Sequence, residues 1–372
     1  MLLTLAVIGF NLAAHETPRV VPLAEAALCT QPISITAVAN PRSPGGPHDF
    51  SSEGDYWWPD PKNPDGPYIR RDGETNPANF LAHRRLMFAF ARDFGALSAA
   101  YDLSREERFA AAAVQHLRVW FVDPATRMNP NLQFAQSIKG VCTGRATGLI
   151  DTVHFAEVAL GIRALHGSAA LDAATEGAVK DWFRDYLHWL QTHPYGIDEG
   201  KSDNNHGTCW ALQAAAFARL LGDEKTLADC RRRFKEIILP KQMAADGSFP
   251  LELARTKPYG YSIFNLDVMT GLAAILSNLD EDLMKFKLAD GRSMVRGVEF
   301  LAPYLADKAK WTRAPDVLYW REWPVRQPAL LFGAVAAGRE DWLTLWKSLP
   351  SDPAVEEVRR NLPIRFPTLW RP

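Results

Sequence analysis

The sequence predicts an all-α fold, and three observations carry this prediction. From about residue 78 onward the chain reads as one helical segment after another, joined by short connectors. Strand signals are few, and the best of them, Ile33–Thr36, is short. No heptad repeat, dinucleotide-binding glycine pattern or regular solenoid repeat is visible. We therefore expect paired helices in an α/α toroid, an incomplete helical barrel, formed by a single domain over residues 1–372.

Hydrophobic spacing marks the helices in order along the chain. Ser104-Arg-Glu-Glu107 has the form of a capping box and predicts the start of a helix that ends near Phe121. The clearest apolar face has helical spacing and consists of Val179, Trp182, Phe183, Tyr186, Leu187 and Leu190. Similar faces predict helices over residues 78–101, 147–166, 207–221, 224–241, 263–279, 291–306 and 326–348.

One segment, residues 41–77, interrupts the helical pattern. It contains eight prolines and five glycines, so it cannot be helical for long. A long irregular segment inside a compact domain is usually functional or disordered. Because this one carries an aromatic cluster that includes Tyr56, Trp57 and Trp58, we interpret it as a packed flap over a cleft.

The N-terminus carries one apolar run, Leu2–Phe10, which is too short to span a bilayer. The run resembles the hydrophobic region of a signal peptide within residues 1–14, although no Lys or Arg precedes it. The alternative is that it forms the first core helix of the domain. Both interpretations stay open on the sequence, and no other stretch is apolar enough to cross a membrane.

The composition excludes several classes of function. Forty-two basic residues against 43 acidic ones give a formal net charge of -1, which argues against a nucleic-acid-binding protein. The 4 cysteines have no zinc-site spacing and the flap does not fit the register of a calcium loop, so we expect no metal site. Twelve Trp residues fit a sugar-binding protein, since pyranose faces stack on indole rings, but Trp is also ordinary core material.

Two polar stretches stand out among the apolar helices. Asn205 and His206 precede an apolar run and so lie at or near a helix N-terminus, where backbone N–H groups favour an anion. Arg255, Tyr259 and Tyr261 lie on a predicted loop before the next helix. Each stretch also has a purely structural interpretation, a capped helix in the first case and an arginine stacked on aromatic rings in the second.

Together with a third stretch, these motifs resemble the alginate lyase superfamily of polysaccharide lyases. The third stretch is Asn129-Pro-Asn-Leu-Gln-Phe-Ala-Gln136, followed by Gly144-Arg145, and the flap adds Asp55-Tyr-Trp-Trp-Pro-Asp-Pro61. The resemblance covers roughly residues 30–340, and the flap is closest to the glucuronan-lyase-like branch. The glycine after His206 and the six-residue interval from Arg255 to Tyr261 differ from the mannuronate lyases.

The resemblance implies a lyase that cleaves a uronic-acid polymer, of glucuronan or alginate type, by β-elimination. Such an enzyme removes the C5 proton next to a carboxylate, whose charge positioned donors must neutralise. Arg255 and Asn205 are suited to that task, because arginine offers a planar fork and asparagine a neutral N–H. Tyr261, with a neighbouring cation, or His206 is then the base, and both assignments stay open.

The resemblance also suggests substrate-binding residues and a location. We expect the sugar to contact Tyr56, Trp57, Trp58, Gln136, Arg145 and Tyr259. No cofactor is required, so activity should be insensitive to chelators. Polymeric uronates are met outside the cytoplasm, so a periplasmic or secreted protein is expected.

Two other functions are compatible with a helical toroid. One is a glycoside hydrolase acting on uronides, for which Asp151, Asp198 and Glu199 are the candidate acids. The other is a non-catalytic sugar-binding toroid, which would keep the Trp residues but would not need Asn205-His206 and Arg255-Tyr261 on separate segments.

Overall fold

The computed structural model describes residues 9–370, and these form two compact units. Among the described residues, unit 1 comprises 9–12, 202–215 and 223–370, and unit 2 comprises 13–201 and 216–222. Helices dominate both units and the strands are short, so the all-α prediction is confirmed. The prediction of a single domain over 1–372 stays a prediction.

Within the described range 9–370, the first six helices lie in unit 2, apart from residue Leu12. Their bounds are Leu12–Leu28 (α1), Ala82–Ser104 (α2), Glu107–Leu117 (α3), Phe155–Ala164 (α4), Ala173–Thr192 (α5) and Pro194–Gly200 (α6). Helix α2 packs against both α3 and α4, and a π-helical turn, Arg118–Val122, continues α3 and packs on α5. The predicted apolar face of α5 is confirmed, because all six of its residues are buried.

Aromatic side chains fill the centre of unit 2. Phe90 of α2 stacks on Trp120 with ring centroids 4.6 Å apart, and Phe121 lies 4.5 Å from Trp182 of α5. Phe155 of α4 meets Phe121 edge-on at 5.7 Å. Such offset and edge-on pairs add to the stabilisation that comes from apolar burial itself.

The flap, residues 41–77, belongs to unit 2 and is held there by short strands. Strand β1 (Ser51–Glu53) pairs in parallel with β4 (Phe134–Ser137), and β2 (Trp57–Trp58) pairs antiparallel with β3 (Ile69–Arg70). The many prolines prevent a longer ladder because each removes a backbone donor. The pairing of β1 with β4 joins the flap to the segment of the third sequence motif.

Unit 1 is built around a helix that is buried along nearly its whole length, Pro258–Leu276. Its helices are Asn205–Leu221 (α7, through residue 215), Glu224–Arg233 (α8), Leu239–Gln242 (α9), Pro250–Leu253 (α10), Pro258–Leu276 (α11), Met294–Ala306 (α12), Pro328–Ala337 (α13), Glu340–Ser348 (α14) and Glu356–Arg360 (α15). Helix α11 packs against α10, α12 and α13. Only a helix that is apolar on nearly all sides can be surrounded in this way.

The capping box predicted at Ser104–Glu107 is wrong. Ser104 is the last residue of α2, and Arg105 follows it in a left-handed conformation with φ 61°. The Glu107 carboxylate accepts a hydrogen bond from Ser168 Oγ at 2.6 Å instead of reaching back to the cap. A helix does start here, because α3 begins at Glu107 and its π-helical continuation ends at Val122. The predicted helix is therefore confirmed, whereas its capping box is not formed.

Two further elements differ from the prediction, and a third lies almost wholly outside the described residues. The expected strand Ile33–Thr36 is a short 3₁₀ turn, Ile35–Ala37, because the Ser34 hydroxyl accepts the Thr36 N–H and caps it. The single helix expected over 326–348 is two helices, since Gly338 adopts a left-handed φ of 67° that ends α13. The predicted run Leu2–Phe10 lies outside the described residues except for its last two positions.

Candidate active site

Tyr261 occupies a special position in the first turn of α11. Every other residue from Pro258 to Leu276 is buried, and Tyr261 alone in this helix keeps part of its surface exposed. The prediction placed this residue on a loop and began the helix at residue 263. The helix begins earlier because Pro258 sits at its first position, where the missing N–H costs no hydrogen bond.

The guanidinium of Arg255 lies directly beside Tyr261. Its central carbon is 4.5 Å from the centre of the tyrosine ring, and Nη2 is 3.4 Å from the phenolic oxygen, to which it donates. Both side chains are half-buried. A cation at this distance favours the ionised form of a phenol. Arg255 is therefore the neighbouring cation that a tyrosine base requires.

Asn205 and His206 form the first turn of α7, as predicted. Asn205 is buried, and the carboxylate of Glu252 holds it twice. The Asn205 backbone N–H donates to Glu252 Oε1 at 2.8 Å, and its side-chain Nδ2 donates to Oε2 at 2.7 Å. An acceptor with negative charge at a helix N-terminus satisfies an otherwise unpaired donor and is favoured by the helix dipole.

His206 follows Asn205 and is half-buried. Its backbone N–H donates to Asn204 Oδ1 at 3.2 Å, which helps to fix the first turn of α7. Burial raises the pKa of the Glu252 carboxyl, and the hydrogen bonds from Asn205 and the charges of Arg255 and His206 oppose that shift. His206 and Arg255 therefore both lie within electrostatic range of Glu252, which joins the two predicted motifs into one cluster in unit 1.

Tyr259 is a correction to the predicted binding residues. The residue is fully buried, its hydroxyl donates to the Tyr304 carbonyl at 3.0 Å, and its ring packs edge-on against Trp311 at 5.0 Å. Burial also raises the pKa of the Tyr259 phenol. A ring enclosed in this way cannot contact a sugar, so we remove Tyr259 from the substrate-binding set and assign it to packing of the start of α11.

A second cluster, in unit 2, contains Gln136 and Arg145. Arg145 Nη2 donates to Gln136 Oε1 at 2.7 Å, and Gln136 Nε2 donates to Asp151 Oδ1 at 3.1 Å. Gln136 is held in a left-handed conformation with φ 52°, which is uncommon for a residue with a side chain. Its backbone N–H donates to Ser52 Oγ at 2.8 Å, so this conformation is fixed from several sides.

The aromatic residues of the flap differ in whether they contact this second cluster. Arg145 lies over the ring of Trp57 at 5.8 Å, so Trp57 belongs to the cluster. Trp58 Nε1 donates to the Glu74 carbonyl at 2.9 Å and its ring lies 4.9 Å from Arg71. Tyr56 is half-buried, and its backbone carbonyl accepts from Arg71 N at 2.7 Å. Trp58 and Tyr56 are thus positioned by flap contacts and not by Arg145.

Asp151, a candidate acid for a hydrolase, is part of the scaffold of this cluster. Its carboxylate accepts from Ser52 Oγ at 2.5 Å, from Arg84 Nε at 3.1 Å and from Gln136. Arg84 is buried and also pairs with Asp55. A buried carboxylate with this many donors is a fixed counter-charge rather than a proton donor to a substrate. Asp198 forms an exposed pair with Lys201 at 3.2 Å.

Glu252 and Arg84 could not be identified as site residues from the sequence. Their partners Asn205 and Asp151 lie 47 and 67 positions away, so no local pattern marks either contact. The interval Glu252-Leu-Ala-Arg255 was available as a signal, since it places the carboxylate and the guanidinium about one helical turn apart.

The described part of the chain offers no site for a metal ion and no membrane span. Within residues 9–370, no group of three or more His, Cys, Asp or Glu side chains is arranged to hold a metal. In the same range, no helix combines the length and the apolar character needed to cross a bilayer.

Comparisons with known proteins place this geometry in a family. The sequence profile named alginate lyase matches residues 34–311. An alginate lyase from Bacteroides ovatus superposes with a TM-score of 0.83 and 31% sequence identity, covering 96% of this chain and 93% of its own. A comparison with curated protein sequences gave no significant match.

More distant structures share the fold. A histidine-to-alanine variant of alginate lyase A1-III, complexed with a tetrasaccharide, has a TM-score of 0.55 at 16% identity and covers 83% of this chain and 79% of its own. A tyrosine-to-phenylalanine variant of the same enzyme, also with a tetrasaccharide, has a TM-score of 0.54 at 16% identity, with coverage of 83% and 80%. The family profile and the Bacteroides structure extend over most of the sequence, and the chain therefore belongs to the alginate lyase family and is a polysaccharide lyase.

Proposed function

We propose that this enzyme cleaves a uronic-acid polysaccharide by β-elimination, with Tyr261 as the acid-base residue and Arg255 and Asn205 on the substrate carboxylate. The observation that carries the proposal is the position of Tyr261. It is the one residue of α11 that is not buried, and it lies against the Arg255 guanidinium.

The reaction breaks the C5–H and C4–O bonds and forms the C4–C5 double bond and a new O–H bond on the leaving group. Tyr261, as phenolate, takes the proton from C5; the electron pair of the C5–H bond forms the C4–C5 double bond; and the C4–O bond breaks. The departing C4 oxygen takes the proton back from Tyr261. Negative charge grows on the C5 carboxylate during proton removal, and positioned donors are most effective at that point.

Arg255 serves the reaction in two ways. Its charge favours the Tyr261 phenolate, and a planar guanidinium is suited to pairing with the substrate carboxylate as well. Asn205 supplies a neutral donor at the start of α7, where the helix dipole also favours an anion. His206, in the same turn, holds Tyr261 or the substrate, or serves as the base in the alternative assignment.

A single acid-base residue selects the substrate stereochemistry. In mannuronate and glucuronate the C5 hydrogen and the C4 oxygen lie on the same face of the sugar, so one tyrosine reaches both. We therefore propose polymannuronate or glucuronan as the substrate, with guluronate disfavoured. Gln136, Arg145 and Trp57 would contact the sugar, and the tetrasaccharide bound to alginate lyase A1-III supports an oligosaccharide ligand.

Ultraviolet absorbance of the product tests the reaction and the substrate together. The purified protein is incubated with polymannuronate, glucuronan and polyguluronate, and the conjugated C4–C5 double bond is followed. We expect absorbance to rise with polymannuronate or glucuronan and to rise least with polyguluronate. New reducing ends without absorbance would overturn β-elimination in favour of hydrolysis.

Tyr261→Phe tests the residue assignment. We expect kcat to fall about 100- to 10,000-fold, because proton transfer by a positioned group contributes that much. Tyr304→Phe is the matched control, since Tyr304 is another half-buried tyrosine of unit 1 and should keep its activity. A Tyr261→Phe enzyme with nearly unchanged kcat would transfer the role of base to His206.

The substrate also suggests the location. Polymeric uronates are met outside the cytoplasm, and we propose that the enzyme acts in the periplasm or after secretion. Fractionation of cells that express the full chain tests this, and activity confined to the cytoplasmic fraction would contradict it.

A further inference from the structure

We propose that Glu252 is a positioning residue that orients the side-chain amide of Asn205 toward the substrate carboxylate. This inference rests on the proposed function, because it assigns a task to a residue that acts through Asn205. Glu252 is buried, and both of its carboxylate oxygens accept hydrogen bonds from Asn205, so it acts through that residue.

The contact between the two residues is a two-point clamp. Oε1 of Glu252 accepts the backbone N–H of Asn205 at 2.8 Å, and Oε2 accepts its Nδ2 at 2.7 Å. The residues are 47 positions apart in the chain, so the clamp is made by tertiary structure. Both distances are those of strong, charge-assisted hydrogen bonds.

The two hydrogen bonds have different tasks. The bond from the backbone N–H satisfies a donor in the first turn of α7, which any acceptor at a helix N-terminus would do. The bond from Nδ2 has no role in the helix, because the side-chain amide lies outside the backbone ladder. What it fixes is the rotation of the Asn205 amide about its last torsion angle, which is otherwise broad.

That rotation decides how Asn205 meets an anion. An amide group carries two N–H donors on nitrogen and an acceptor on oxygen. With one N–H bound to Glu252, the second N–H points away from the carboxylate and is the donor left for a substrate. If the amide turned over, its oxygen would face the substrate carboxylate and repel it.

A negative charge next to a carboxylate-binding site needs compensation, and the cluster supplies it. The charges of Arg255 and His206 act on Glu252. Arg255 also follows Glu252 by three residues, with its backbone N–H on the Glu252 carbonyl at 3.1 Å. One short segment therefore carries both the clamp on Asn205 and the cation of the site.

A double-mutant cycle on kcat tests the proposal. The four proteins are the wild type, Glu252→Gln, Asn205→Ala and the double variant, assayed on the polymer that gives the highest activity. In Glu252→Gln, one N–H of the new amide must face a donor of Asn205, so the clamp is lost. We expect kcat to fall about 10- to 100-fold with KM changed much less, as for a misplaced catalytic group.

The double variant separates positioning from simple structural support. If Glu252 acts through the Asn205 amide, Glu252→Gln lowers kcat by less than about threefold in the Asn205→Ala background, because coupled residues are not additive. Equal losses in both backgrounds would overturn the proposal. Glu252→Asp keeps the charge and both acceptors, and we expect its kcat to lie between those of Glu252→Gln and the wild type.

Controls keep folding and chemistry apart. Thermal unfolding followed by circular dichroism gives the folded fraction of each variant at the assay temperature, and kcat is expressed per folded molecule. Glu236→Gln, an exposed glutamate of unit 1, is the matched control and should keep wild-type kcat. Should Glu252→Gln not fold, Glu252→Asp in the two Asn205 backgrounds gives the same comparison.

The outcomes also distinguish this inference from the proposed function. If Asn205→Ala keeps full activity, the role proposed for Asn205 fails and Glu252 has nothing to orient. If Asn205→Ala loses activity while Glu252→Gln does not, only the positioning role of Glu252 fails.

Discussion

Among residues 9–370, no carboxylate forms an ion pair with the guanidinium of Arg145. The one hydrogen-bond partner of its guanidinium among the described residues is the neutral oxygen of Gln136, and Asp151, the acid of the same cluster, is bound to Arg84. Burial lowers the pKa of the Arg145 guanidinium, with the charges of Cys142 and Asp151 opposing the shift. A partly desolvated cation of this kind gains more from an added carboxylate than an exposed one does.

Arg145→Lys tests whether this charge binds substrate. Lysine keeps the positive charge but cannot hold Gln136 and a carboxylate with one planar fork. We expect KM to rise about 10- to 100-fold, the equivalent of one lost charge-assisted hydrogen bond, with a smaller change in kcat. Steady-state kinetics on the preferred polymer measures both constants.

The control for this substitution lies in the same unit. Arg184 is exposed and pairs with Asp181, so Arg184→Lys should leave KM unchanged. Equal KM values for Arg145→Lys and the wild type would mean that Arg145 only supports Gln136.

The N-terminus of α11 shows how one helix end is fixed from outside. The carboxylate of Asp316 accepts the backbone N–H groups of Tyr259 and Gly260, both at 2.9 Å. These donors are unpaired within the helix, and a carboxylate there is favoured by the dipole. Since Tyr261 is the next residue, Asp316 helps to fix the start of the helix that carries the proposed acid-base group.

Gly260 is required by this close approach. A Cβ atom at Gly260 would lie 2.8 Å from Asp316 Oδ2 and 3.3 Å from Trp323 Nε1. We expect Gly260→Ala to lower the free energy of unfolding by about 1–3 kcal/mol, as overpacking does, and to lower kcat as Tyr261 moves. Urea unfolding and the elimination assay measure the two effects.

Gly177 offers the opposite case within helix α5. A Cβ atom there would meet nothing within 4 Å, so Gly177→Ala should raise the free energy of unfolding by about 0.5–1 kcal/mol. The prediction for Gly260 is wrong if both variants change stability in the same direction.

The Asp316 carboxylate makes the stability of the whole molecule depend on pH. Burial raises the pKa of Asp316 to about 6, against the opposing effects of the Gly260 and Tyr259 N–H groups and of Lys257 and Lys308. Between the ordinary pKa of an aspartate, about 4, and 6, the folded protein binds a proton that the unfolded chain has released. This group therefore makes stability fall as pH rises through that window, and its effect is constant above it.

Asp316→Asn should remove that contribution. Because one amide oxygen replaces two acceptors, the variant is less stable at all pH values, and the informative quantity is the slope. We expect the wild type to lose more stability than the variant between pH 4 and 6, measured by urea unfolding at several pH values. Parallel curves for the two proteins would contradict the raised pKa of Asp316.

The sequence predicted the parts of the molecule that depend on local pattern. Helix α5 was found because its apolar residues repeat at helical spacing, and the start of α7 because Asn205 and His206 precede an apolar run. Helix α1 was missed, since Pro18 and Pro22 lie inside it and each removes a backbone donor that a helix normally uses.

The contacts of the site could not be predicted from any local pattern in the sequence. Glu252 meets Asn205 across 47 residues and Asp316 meets Gly260 across 56, so neither pairing leaves a signature at short range. The motif residues Arg255 and Tyr261 were identified, whereas the enclosure of Tyr259 was not, because exposure is decided by what the rest of the chain brings to the helix.

The burial of α11 also has a consequence for how this enzyme can diverge. Nearly every position of the helix is fixed by packing, where even one added methylene group is felt, so few mutations along it are tolerated. Tyr261, the proposed proton-transfer group, and the helix that carries it would therefore change little as related enzymes diverge. New sugar preferences would have to arise in the exposed or half-exposed residues of the flap, such as Tyr68 and Ile69. Substitutions there have little effect on the stability of the fold.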